Sequence, residues 1–135
     1  MVFSSQDGLV YLMVVTAAAD SSLSDLELDR IGVLVDRLPI FENYSRAQLS
    51  DVAGNCLDLM REVDDLNRVL DIALKTLPTR LHDTAYALCV EIAAVDLELE
   101  QEELRWLEMV RDRLSIDRLT TAAIEVGARA RLRKE

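Results

Sequence analysis

A chain of 135 residues, half of them hydrophobic and 4% aromatic, with four Gly and two Pro, is large enough for one domain around one core. Its wealth of helix formers excludes a sheet-based fold. The formal net charge is −10, and residues 1–128 hold 11 basic and 24 acidic side chains, a balance of −13. Such a body repels nucleic acid, whose phosphates need Lys and Arg, and suits cations or basic partners.

The first predicted helix starts at Ser4 or Ser5 and runs to about Ala19. From Leu9 it is apolar all round, the pattern of a central, fully buried helix. Residues 20–23 form a short connection. Ser24-Asp25-Leu26-Glu27 is a capping box opening the second helix, which Pro39 ends. Ser45-Arg46-Ala47-Gln48 is a second box. It opens a third helix to about Glu62, with Leu49, Val52, Ala53, Cys56, Leu59 and Met60 on its apolar face. Asp64 or Asp65 caps a short fourth helix carrying Val69, Leu70 and Ala73, and Pro78 breaks the chain.

The fifth helix is predicted over about 79–95, apolar through Ala85–Val95 except for Glu91. The sixth covers about 101–114. Asp117 caps the seventh, which runs into Arg129, Arg131, Arg133 and Lys134. Repulsion among these charges predicts that the basic tail, 129–135, frays. The expectation is a seven-helix, all-α bundle over residues 1–135. Consecutive helices lie side by side, and the first and fifth sit in the middle.

The N-terminus lacks the positive region of a secretory signal. The longest apolar run, residues 9–19, is 11 residues long, against about 20 for a bilayer span. Cys56 and Cys89 lack a CxxC spacing and read as buried thiols in a reducing compartment, so the expected location is the cytoplasm.

The chain contains an internal repeat. Residues 12–40 align with residues 88–116 at an offset of 76, without a gap, with 12 identities in 29 positions. A pseudo-two-fold helical arrangement follows. Asp20 aligns with Asp96 and Glu27 with Glu103, giving Ala-Ala-x-Asp-x-x-Leu-x-x-x-Glu-Leu in both copies. Asp20 and Asp96 stand at the C-terminal ends of apolar helices, where the dipole disfavours a negative charge. Either local backbone N–H groups compensate them or a bound cation does. Glu27 and Glu103 lie in first helical turns, where a carboxylate is favourable without a ligand. The second copy has Glu100 in place of the capping Ser. If the two turns converge, Asp20, Glu27, Asp96 and Glu103 make an all-oxygen site selecting Ca, Mg or Mn over zinc. Turn capping, a divalent-cation site and a partner-binding patch all remain open.

Other chemistry is sparse. The glycines are isolated, so there is no phosphate loop, and the single His82 excludes a His-based metal cluster. The spacing of Asp20-Ser-Ser-Leu-Ser-Asp does not make an EF-hand. Trp106 reads as core or as a half-buried anchor for a protein partner.

The doubled Ala-Ala-x-Asp, followed by a capped helix with Glu in its first turn, resembles the TerB family of bacterial tellurite-resistance proteins. The resemblance covers about residues 5–130. In that family an Ala-x-x-Ala-Asp-Gly-x-x-x-x-x-Glu type motif closes one helix and opens the next, twice. Here Ser21 and Leu97 stand where Gly is usual. A left-handed Leu costs about 1–2 kcal/mol, so the two turns are expected to differ. The resemblance implies an all-helical fold with an internal two-fold relation. It also implies a non-enzymatic bacterial protein of tellurite and other stress resistance, cytoplasmic and near the inner membrane, with membrane- and metal-associated partners. TerB-like domains also occur as modules, including in membrane-anchored co-chaperones. The rival readings are a structural adaptor or homodimer without metal and, remotely, an enzyme using paired carboxylates as acid and base.

Overall fold

A computed structural model describes residues 3–18, 23–94 and 101–135, with the side chains of residues 101–103 outside the description. Among the described residues there are seven α-helices and no strand: α1 (Ser5–Ala17), α2 (Asp25–Arg37), α3 (Arg46–Glu62), α4 (Leu66–Leu74), α5 (His82–Ala94), α6 (Gln101–Arg113) and α7 (Arg118–Leu132). Short 3-10 turns at Pro39–Phe41 and Thr79–Leu81 lead into α3 and α5. No described helix is long and apolar enough to cross a membrane.

Local chemistry starts these helices. Ser4 and Asp7 form a reciprocal capping box on α1, as do Ser24 and Glu27 on α2 and Ser45 and Gln48 on α3. Asp65 caps α4 and Asp117 caps α7. Each box satisfies two backbone N–H groups that have no helical acceptor. α1 ends at Ala17, two residues short of the expectation, with the Ala18 N–H closing onto the Val14 carbonyl at 2.8 Å. The segment expected to be helical from 79 begins as a 3-10 turn and becomes α-helical at His82.

α1 is the axis of the molecule. Every residue from Gly8 to Thr16 is buried, because α3, α4 and α5 pack around it and α2 and α6 also touch it. Gly8 permits a close approach between α1 and α4. A Cβ there would sit 2.5 Å from Thr76 Oγ1 and 2.9 Å from the Ala73 carbonyl oxygen of α4. α5 is the second interior helix and packs on α1, α6 and α7.

One expectation is corrected. Consecutive helices do not all lie side by side: among the described residues α4 and α5, and likewise α6 and α7, share no more than marginal contact, and α7 lies along α5 instead. Tyr86 hydrogen-bonds Glu125, Arg131 pairs with Glu91, and Ala128 is buried. Residues 129–132 of the basic tail form the last turn of α7. Only residues 133–135 extend beyond α7.

Candidate functional site

Trp106 is core rather than a partner-binding anchor. It is 1% exposed, and its indole N–H donates to Thr16 Oγ1 at 2.8 Å. The Thr16 hydroxyl donates in turn to the Leu12 carbonyl at 2.7 Å. A buried indole needs such a partner, and this one ties α6 to the last turn of α1.

That anchorage sets the roll of α6. α2 and α6 are both 13 residues long and begin and end at the same places in the two aligned segments. Yet α2 buries Ile31 and Val35, whose counterparts Leu107 and Arg111 are half-buried and exposed. α6 buries Trp106 and Val110 instead, with Leu114 just past its end. A shift of one residue is a rotation of about 100°. It turns Leu104, Leu107, Glu108 and Arg111 away from α1 and toward α7.

The result is a cleft of about 340 Å³. Its floor is Tyr86, Val90, Ala93 and Ala94, one stripe of α5. The α6 wall is Leu104, Leu107, Glu108 and Arg111. The α7 wall is Glu125, Ala128 and Arg129. Leu104 stands 43% exposed at the lip. The Tyr86 hydroxyl donates to Glu125 at 2.8 Å. Burial first, then this bond to a carboxylate, raises the phenol above its ordinary value, so it stays protonated. An apolar floor with a few charged groups at the rim is the composition of a site that binds apolar surface in a defined orientation.

Of the four acids singled out from the sequence, only Glu27 has a described side chain, and it is not among the residues that line the cleft. Glu27 belongs to the α2 capping box: its Oε1 accepts the Ser24 N–H at 3.0 Å, while its own N–H donates to Ser24 Oγ at 3.1 Å. Asp20 and Asp96 lie outside the described residues. Glu103 lies in the first turn of α6, with its side chain outside the description. Among the described residues no group of three or more His, Cys, Asp and Glu is placed to hold a metal ion.

The remaining reactive side chains have structural partners. Cys56 and Cys89 are free and buried, and their thiols donate to the Tyr11 and Leu12 carbonyls. Burial pushes both up to about 12. His82 accepts the Ser115 N–H on Nδ1 at 2.9 Å, which leaves Nε2–H to donate to the Leu77 carbonyl at 3.2 Å. It joins the turn before α5 to the loop before α7.

Sequence reasoning missed the cleft. A faint signal was present: α6 carries Leu104 and Leu107 outside its Trp106–Val110–Leu114 stripe, more apolar surface than one contact requires. Comparison of the chain with protein-family models, with curated proteins and with solved structures finds no match.

Proposed function

We propose that this chain is a non-enzymatic, TerB-like helical binding module, and that it docks a protein partner in the cleft between α5, α6 and α7. Its setting is a bacterial stress response of the tellurite-resistance kind, in the cytoplasm and peripheral to the inner membrane. The observation that carries the docking role is the apolar cleft itself, with the exposed Leu104 at its lip. The duplicated Ala-Ala-x-Asp pattern supports the family reading.

The test places a photo-crosslinking amino acid at Leu104 in living cells. The same group at Leu26, exposed on α2 and not part of the cleft, serves as control. A discrete adduct from position 104 and none from position 26 is expected; equal labelling at both ends the docking role. The stress role is checked separately. Cells lacking the chain should become tellurite-sensitive, and Leu104→Glu should fail to restore resistance. Unchanged sensitivity removes the tellurite connection.

The recurrence of Asp and Glu in both copies favours a second reading, a divalent cation held by Asp20, Glu27, Asp96 and Glu103. Thermal unfolding with and without calcium, magnesium and manganese tests it. A cation bound only by the folded state raises the melting temperature, and Asp20→Asn/Asp96→Asn should abolish that rise. No rise with any of the three metals in the unsubstituted protein ends the cation reading.

A further inference from the structure

We propose that the occupant of the α5–α6–α7 cleft is an acidic amphipathic helix of the partner protein. This rests on the docking role above and adds the shape and sign of what docks.

The shape comes from the run of the cleft. At its far end it continues into a second hollow of about 360 Å³, to which Ala94 and Arg129 are common and which Leu132, Arg133 and Lys134 complete. From Glu125 to Leu132 the α7 wall extends roughly 10 Å, two helical turns. A partner helix laid along it can seat apolar side chains at helical spacing against the α5 floor. The floor is recessed: Val90 is 6% exposed and Ala93 4%. A concave apolar surface receives a projecting side chain, whereas a bilayer contact needs apolar groups that project from the protein.

The sign comes from the rim. Arg111, Arg129, Arg133 and Lys134 border the two hollows, against the carboxylates of Glu108 and Glu125. Glu125 already accepts the Tyr86 hydroxyl. The whole-chain charge of −10 points to basic partners, but at physiological salt charges beyond about 8 Å are largely screened. Among the described residues, the rim presents four cations against two carboxylates. A polyphosphate has no apolar group to place on the α5 floor, which leaves a short acidic amphipathic helix as the matching ligand.

The test uses two short stapled helical peptides with identical Leu spacing, one carrying Glu and the other Lys on the outer face. Binding to the intact chain is followed by fluorescence anisotropy at low and high salt. The acidic peptide should bind at least about tenfold more tightly, a difference of about 1.4 kcal/mol, and should weaken with salt. Arg129→Glu/Arg133→Glu changes two exposed side chains, and circular dichroism checks that it stays helical. It should reverse the preference between the peptides. Leu104→Glu should weaken both. Equal or tighter binding of the basic peptide overturns the assigned sign and leaves the docking role standing. Failure of both peptides on folded protein overturns the sign, and the crosslinking experiment then decides docking on its own. Displacement of the acidic peptide by phosphatidylglycerol vesicles overturns the helix in favour of a membrane.

Discussion

The indole N–H of Trp106 donates to the hydroxyl of Thr16 across 2.8 Å, between residues 90 positions apart in sequence. Thr16 passes the chain of hydrogen bonds to the Leu12 carbonyl, and among the described residues no buried side-chain N or O atom is left without a partner. The bond fixes which face of α6 meets α1, and therefore which face borders the cleft.

Thr16→Val keeps the shape and removes the acceptor. The Trp106 N–H is then buried without a partner, and the expected loss is about 1–3 kcal/mol of folding stability in urea. Trp106 is the only tryptophan, so its fluorescence reports the site directly. Trp106→Phe in the Thr16→Val background should cost less than in the native background, because the orphaned donor is gone. Additive losses would show that the bond contributes nothing.

Glycines in two helices should respond oppositely to alanine. Gly8→Ala places a methyl 2.9 Å from the Ala73 carbonyl oxygen, backbone that cannot move aside, so α1 and α4 must separate. A loss of roughly 1–3 kcal/mol is expected, the usual cost of overpacking. A Cβ at Gly54 meets nothing within 4 Å, and Gly54→Ala should raise stability by about 0.5–1 kcal/mol. Melting temperatures of the two variants check both signs.

Arg46 should set part of the acid limb of stability. Its guanidinium lies across α2 over Gly32, bonded to both Asp36 oxygens and 3.6 Å from Asp29. The hydrogen bond from Arg46 holds the Asp36 carboxyl below its ordinary 3.8. A group lowered on folding stabilises fully above its unfolded value, and that contribution drains as pH falls through the lower folded value. Arg46→Ala should therefore flatten the fall in stability below about pH 4, where the unfolded Asp titrates. Gly32→Ala, which drives a methyl into the same guanidinium, should flatten it too. An unchanged acid limb in both variants removes this assignment.

Cys56 and Cys89 should be silent in the native state. With both thiols at about 12 and buried, neither forms thiolate or meets reagent at pH 8. Alkylation should follow global unfolding, with both cysteines modified at one rate under conditions where opening limits the reaction. Fast labelling of either in the absence of denaturant would show a local opening of α3 or α5.

What the sequence by itself determined is what acts within a few residues. Ser24 with Glu27, Ser45 with Gln48, and Asp117 announce helix starts because cap and capped N–H groups lie within three positions of each other. The unbroken apolar run from Leu9 announces an interior helix because no face of it can meet water. The cysteines, set among apolar neighbours, were legible as buried thiols for the same reason. Trp106 was ambiguous, since Leu104, Leu107 and Val110 allow more than one face of α6 to turn inward. Only the tertiary structure chose, through a threonine on α1. It also laid α7 on α5, where Arg131 finds Glu91 and Glu125 finds Tyr86, and so left a cleft between α6 and α7. These outcomes depend on the roll and crossing of helices whose contacts are 39 to 90 residues apart in the chain. No pattern within one helix encodes that geometry, so the cleft and the sign of its rim appear only once the helices are packed.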